Sequence, residues 1–302
     1  RRFEWQSLVD VPLRRVGLGS GVTRRCASGS ASSDSTQSSR QIYELDDYEG
    51  VPAHVAIFLK RLYGVDKVDQ YGRLLWKDET AEEEEWDGSH EGSDPSLFTY
   101  GEVLPQGTAA LAKELDIMNA TVVFEVGCGR GRLAAQLFQQ YPHLKYVLGI
   151  EKSDFRFNKC LEAASKLHLT FLEPVDQKSE GEGPFIVRKA QGRALATTPE
   201  RRTLEFRKGD VISLVHVAQA MAPDVVIFNV CHKPELINYF KPFFDALNPG
   251  TRIVTYEDLG NLWKTYIDAN DQAYVRLSPG SRFYTTWERN DGHEFYLWQK
   301  IN

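Results

Sequence analysis

Val122-Val-Phe-Glu-Val-Gly-Cys-Gly-Arg-Gly-Arg-Leu133, followed by Tyr146-Val-Leu-Gly-Ile-Glu151, is the stretch whose reading decides the fold. The apolar, β-branched and aromatic start at 121–124 predicts a buried strand. Leu133-Ala-Ala-Gln-Leu-Phe138 carries apolar residues at helical spacing, so the glycine-rich turn sits between a strand and a helix. Glycine has no Cβ, and three alternating glycines, Gly127, Gly129 and Gly131, let the backbone wrap closely around a nucleoside-like group at the strand's carboxyl edge. The second strand, 146–150, ends in Glu151, whose two oxygens can accept from both hydroxyls of a ribose.

The spacing also discriminates between nucleotides. A dinucleotide fold uses G-x-G-x-x-G/A, which puts a small residue at position 132 and leaves the helix N-terminus free for a pyrophosphate. Position 132 is Arg, and Glu125 at the strand end would repel a pyrophosphate but attract the amino or sulfonium group of S-adenosyl-L-methionine. That compound is the expected cofactor, held by Glu125, Gly127, Gly129, Gly131, Arg132 and Glu151.

At 302 residues and 42% hydrophobic content, the chain can bury one large α/β core plus an appended subdomain. No apolar stretch approaches the roughly 20 residues a membrane helix needs. Cys26, Cys128, Cys160 and Cys231 lie far apart, which argues against a zinc site or a disulfide framework and fits a reduced intracellular compartment. The seven histidines lack ligand spacing, so no catalytic metal is expected. A net charge of −6 alone argues against DNA, but the charge is unevenly placed. Residues 78–94 are acidic without Lys or Arg, and 188–208 are rich in both.

Residues 1–41 read as a disordered Ser- and Arg-rich arm with a faint likeness to an organelle transit peptide. Residues 42–96 read as a small helical subdomain, with apolar spacing at Val51, Val55, Phe58, Leu59 and Leu62, that runs into the acidic linker 78–94. The catalytic domain is expected at 97–302, with a polar insertion or flap at 173–201. Arg202 to Asp210, Ala222 to Asn229 and Arg252 to Tyr256 read as further strands, separated by a helix from Pro234 to Leu247. Residues 282–287 and 294–298 flank a turn at Arg289-Asn-Asp-Gly292 and read as a terminal hairpin. Alternating strands and helices predict an α/β Rossmann-like, doubly wound and mostly parallel sheet with this antiparallel hairpin at one edge.

Residues 97–298 resemble the catalytic domain of the disruptor-of-telomeric-silencing (DOT) family, the histone lysine methyltransferases that lack a SET domain. The family's Tyr-Gly-Glu loop is matched by Tyr100-Gly101-Glu102-Val103, and its acid followed by alternating glycines by Glu125, Gly127, Gly129 and Gly131. Its Gly-Val-Glu-Lys-Ala-Asp is matched by Gly149-Ile-Glu-Lys-Ser-Asp154, and its Arg-Gly-Asp-Phe by Lys208-Gly-Asp-Val211. Its strand ending in Asn is matched by Val225-Val-Ile-Phe-Asn229, and its Gly-Arg-Ile-Val by Gly250-Thr-Arg-Ile-Val254. The chain departs from the family in having Glu125 for Asp, Asn229-Val-Cys-His232 where the family has a second Asn and two Phe, and an insertion at 173–201. A family Trp and Tyr pair are echoed by Trp287 and Phe295-Tyr296, and the short length is similar to the compact trypanosomatid branch.

The resemblance implies a nuclear, S-adenosylmethionine-dependent histone H3 lysine N-methyltransferase that acts on nucleosomes. It adds Tyr100, Val103, Lys152, Asp210, Val211 and Asn229 to the cofactor residues, with Asp210 accepting from the adenine amino group. Asn229, Tyr100, Tyr296, Phe295 and Trp287 become the candidate catalytic and channel residues, together with Phe98, and His232 an optional proton acceptor. Transfer from a sulfonium is an in-line displacement that needs alignment and a neutral amine, so an apolar channel that penalises the charged lysine is required. The acidic run 78–94 reads either as a solvated linker or as the receptor of a basic histone tail. Residues 188–208 read as contacts to DNA phosphates or as a solubilised flap. Two other functions fit the same motifs: a methyltransferase for RNA, a small molecule or a non-histone protein, and a cofactor-binding scaffold without catalysis. Absence of an Asn-Pro-Pro-Tyr run after Phe228 argues against base methylation.

Overall fold

The computed structural model describes residues 43–45, 48–64, 66–68, 101–166, 171–172, 186–190, 192–230, 234–266, 273–286, 288 and 291–302. They fall within one compact unit, Arg40–Asn302. In chain order the strands are β1 (Tyr43–Leu45), β2 (Asp66–Val68), β3 (Val122–Val126), β4 (Tyr146–Glu151), β5 (Phe171–Leu172), β6 (Ile186–Ala190) and β7 (Arg193–Thr197). They continue as β8 (Thr203–Lys208), β9 (Val225–Phe228), β10 (Arg252–Thr255), β11 (Tyr274–Arg276), β12 (Ser281–Phe283) and β13 (His293–Lys300). The helices are α1 (Ala53–Tyr63), α2 (Pro105–Glu114), α3 (Arg132–Gln140), α4 (Asp154–Ser165), α5 (Val215–Met221), α6 (Ile237–Asp245) and α7 (Leu259–Tyr266).

The main sheet runs β11-β13-β10-β9-β3-β4-β8-β7-β6-β5, with β12 added on β13, and β1 pairs with β2 separately. Its centre, β10-β9-β3-β4-β8, is wholly parallel. Every residue of β9, and all but the first of β3, is buried, as a strand covered by helices on both faces requires. Alternate side chains feed two cores. Val123, Val147 and Val254 join one with α1, α2 and α3, while Phe124, Leu148 and Ile253 join the other with α5, α6 and α7. The chain moves outward from β3 to β4 and β8 on one side and to β9 and β10 on the other, so strand order reverses between β3 and β9. A crevice outside the carboxyl ends of these strands is the expected ligand site of such a sheet.

Three expectations change. Val55, Leu59 and Leu62 of α1 are buried in the same core as Leu133 and Phe138, so α1 belongs to the main α/β body and does not form a separate helical subdomain. Part of the insertion expected at 173–201 is sheet: β6 and β7 form an antiparallel hairpin, and β7 pairs with β8. Ala194 and Ala196 are its buried face, and their small side chains on either side of the larger, half-buried Leu195 hid the period of two. The terminal hairpin is present, but β12 covers only Ser281–Phe283, whereas β13 runs eight residues and also pairs with β10 and β11. The arm at 1–41 and the acidic run 78–94 lie outside the described residues.

Candidate functional site

A cleft of about 310 Å³ opens at the carboxyl edge of the parallel strands, lined by Gly127, Glu151, Asp210, Asn229 and Tyr239 among others. The glycine loop makes one wall. Gly127, Gly129 and Gly131 have φ of 75°, 57° and 81°, the left-handed region that side-chain-bearing residues avoid. A Cβ on Gly127 would stand 2.8 Å from the Asn229 carbonyl oxygen, so that position also needs the close approach. The amides of Gly127 and Cys128 both donate to the Ile150 carbonyl at 2.9 and 3.0 Å, which ties the loop to the end of β4.

Glu151 closes the turn after β4. Its Oε2 accepts from the Gly129 amide at 2.8 Å, and its Oε1 accepts from the Ser153 amide at 2.8 Å and from Arg156 Nε at 3.2 Å. A carboxylate offers about four acceptor positions, so these three donors leave room for one further bond. The sequence reading expects Glu151 to accept two further bonds, one on each oxygen, and both oxygens already carry internal donors.

Asp210 follows β8 and caps the turn Val211–Leu214 by accepting from the Ile212 amide at 3.1 Å. Its Oδ2 receives the Tyr239 hydroxyl at 2.7 Å and Lys152 Nζ at 3.1 Å. Burial acts to raise its carboxyl, but these three donors outweigh it and hold Asp210 below the usual carboxylate range. Burial, and then the bond to Asp210, push the Tyr239 phenol up to about 12. In a spectrophotometric titration, the phenol lost in Tyr239→Phe is expected at about 12 and should move down towards the ordinary value near 10 in Asp210→Asn. An unchanged midpoint in Asp210→Asn would contradict the contact.

A second, smaller cavity adjoins the first and shares Gly101, Gly127 and Asn229 with it. Glu125 lies on this cavity, 2% exposed, with Oε2 accepting from the Ala134 amide at 2.9 Å in the first turn of α3. Burial pushes its carboxyl well above the ordinary range, the Ala134 amide opposes this, and the nearby Glu102 and Glu151 add to it. Arg132 also lines the cavity, but its partner is Glu102, with Nη2 2.7 Å from Oε2. Arg130 grips the same carboxylate with Nε at 2.7 Å and Nη2 at 2.9 Å, and all three side chains are buried. The Gly101–Glu102 loop is thus fastened to the glycine loop. It is also tied to the segment after β12: Thr286 N–H donates to Glu102 O at 2.9 Å and Leu104 N–H to Tyr284 O at 2.8 Å.

Of the other expected residues, Val103 and Val211 are buried, Lys152 is exposed at the Asp210 end, and Phe295 is 1% exposed within the core. Phe295 is a core residue rather than a channel wall, since its ring packs on Phe283 and Tyr256. Tyr296 is half-buried, with its hydroxyl donating to Glu294 at 3.2 Å and Arg276 over its ring. Tyr100, Phe98, Trp287 and His232 lie outside the described residues. Arg156 and Tyr239 were missed by the sequence reading. The first had a signal in the Ser153-Asp-Phe-Arg156 helix start, whose position N3 faces back to the strand end.

The basic stretch 188–208 is largely engaged within the protein. Arg193 and Arg207 both pair with buried Glu205, Arg202 Nε donates to the Leu144 carbonyl at 2.9 Å, and Lys208 pairs with Asp154. Cys128 and Cys160 sit under the glycine loop with sulfurs 4.0 Å apart and unbridged. Among the described residues, no helix is long and apolar enough to cross a membrane. Nor do any three or more His, Cys, Asp or Glu among them converge as a metal site.

No protein-family model matches the chain. No curated protein matches it either. Solved structures do. An O-methyltransferase from Bacillus cereus in complex with SAH is 13% identical, with TM-score 0.43, over 73% of this chain and 97% of that one. The O-methyltransferase TomG from Streptomyces achromogenes, in complex with SAM, is 16% identical with TM-score 0.40, over 75% and 92%. TrmN from Thermus thermophilus is 13% identical with TM-score 0.40, over 64% and 48%. This likeness is one of fold alone, the α/β Rossmann-like architecture that the strand order already displays.

Proposed function

We propose that the protein is an S-adenosylmethionine-dependent methyltransferase that transfers a methyl group to a neutral lysine amine of histone H3 within nucleosomes. The observation that carries the reading is the convergence of the glycine loop, Glu151 and Asp210 on one cleft, with the Gly101–Glu102 loop bordering it. A volume of about 310 Å³ suits a nucleoside-sized ligand, and the glycine wall leaves a cradle that a Cβ at position 127 would fill. Asp210 supplies an acceptor for an exocyclic amine, and Glu151 supplies one for a ribose hydroxyl. Burial raises the Glu125 carboxyl, and a cofactor ammonium beside it would favour its ionised form.

When bound, the cofactor supplies an electrophilic methyl on a sulfonium. The chain's own residues hold and align. Asn229, Gly101 and Gly127 border both cavities, so they flank the junction between the nucleoside and amino-acid ends, where the methyl would lie. The Asn229 backbone is fixed there by its N–H, which donates to the Val126 carbonyl at 2.9 Å. The histone and nuclear setting rests on the resemblance of 97–298 to the DOT family, whose Tyr-Gly-Glu loop corresponds to the loop beside the cleft. The internal pairing of 193–208 lends no support to phosphate contact by those residues.

Incubation with S-adenosylmethionine and, in parallel, nucleosomes, free histone and RNA, read by mass spectrometry, tests the proposal. Methyl groups on a lysine of H3 in nucleosomes are expected, with the signal lost in Gly127→Arg. Methylation of RNA alone, or of no macromolecule, would overturn the histone reading.

A further inference from the structure

Glu151 borders the cleft at its ribose end, and its carboxylate direction decides whether an acceptor lone pair is presented to the ligand. Two of its three partners are backbone amides, Gly129 on Oε2 and Ser153 on Oε1, each at 2.8 Å. The third is Arg156 Nε, its side-chain donor among the described residues. Arg156 is itself buried at a capped helix start. It lies in the first turn of α4, its own amide donates to Ser153 Oγ at 3.3 Å, and its residue exposure is 8%. Ser153 thus touches both residues: its amide donates to Glu151 and its hydroxyl accepts from the backbone amide of Arg156. Arg156, like Glu151, lines the cleft.

We infer that Arg156 is a positioning residue for ribose recognition: it sets the Glu151 carboxylate so that the cleft distinguishes a ribose from a deoxyribose nucleoside. The inference rests on the cofactor reading of the cleft. A hydrogen bond to a charged acceptor is strong and directional, so discrimination depends on the orientation of the carboxylate, not merely its presence. A planar guanidinium on Nε restricts that orientation in a way a flexible ammonium does not.

Calorimetric titration of the full chain with S-adenosylhomocysteine and with its 2′-deoxy and 3′-deoxy forms, for wild type, Arg156→Lys and Arg156→Met, tests this. Wild type is expected to favour the ribose form over at least one deoxy form by about tenfold or more. In Arg156→Met that ratio should fall to about twofold while the affinity for the deoxy form changes little, with Arg156→Lys in between. A purely structural role would lower all affinities together and preserve the ratio, and that result overturns the inference. So does a wild-type ratio near one when binding itself is intact. Failure of wild type to bind S-adenosylhomocysteine at all overturns the cofactor reading, and this inference with it. Should Arg156→Met fail to fold, an unchanged ratio in Arg156→Lys overturns the inference on its own.

Discussion

Gly131→Ala is expected to lower the melting temperature by roughly 5–15 °C and to abolish cofactor binding, a large effect for one methyl group. Two separate penalties act at this position. Gly131 has φ +81°, where an L-residue costs about 1–2 kcal/mol. A Cβ there would stand 2.4 Å from Cε1 of Phe206, a buried ring that must shift, and overpacking of this kind costs about 1–3 kcal/mol. The ring cannot retreat freely, because a Cβ on Gly149 would meet the same Phe206 at 2.8 Å: both glycines exist to make room for it. Displacement of the loop would also pull the Gly129 amide from Glu151. Thermal unfolding followed by circular dichroism checks the size of the change. Gly131→Ala with Phe206→Leu should recover part of it, whereas a shift under about 2 °C in the single variant would contradict the packing described.

Glu102→Ala should be comparably severe, at about 3–5 kcal/mol, because it leaves two buried guanidinium groups without their carboxylate. Arg130 and Arg132 both end on Glu102, and Arg130 also lies over the Tyr63 ring at 5.2 Å. The pairing joins the loop at 101–104 to the glycine loop, so its loss should weaken cofactor binding beyond the loss of stability. Replacing all three charges by apolar residues of similar size should restore stability but not binding, since a buried ionic cluster is often dispensable for stability itself. Equal stability of Glu102→Ala and wild type in urea unfolding would mean that the cluster does not hold the loop.

What was legible in the sequence was what is local. The strand-turn-helix at β3 and α3 announces itself because glycine is needed where φ is positive and because the acids stand at strand ends. The same holds for Glu151 and Asp210, which close their strands within a few residues. The fate of Arg132 was not legible: the sequence reading turns it towards the cofactor, but its partner, Glu102, is thirty residues earlier in a loop fastened to the segment 284–286. Tyr239 reaches Asp210 from a helix 29 residues further on, a contact that no short pattern encodes. Phe295 looked like a channel wall because aromatics in a terminal hairpin have no marked face, and only the pairing of β13 on both sides turns it inward. Helix α1 read as a subdomain because the core that buries it includes residues far along the chain, such as Leu133 and Phe138.

The most direct test of the account is calorimetric titration of the protein with S-adenosylhomocysteine, alongside Asp210→Ala and Glu151→Ala. Binding of one molecule per chain is predicted, weakened about tenfold or more in each variant, as befits the loss of a charged acceptor. No binding by the wild type, or equal affinity in all three proteins, would contradict it.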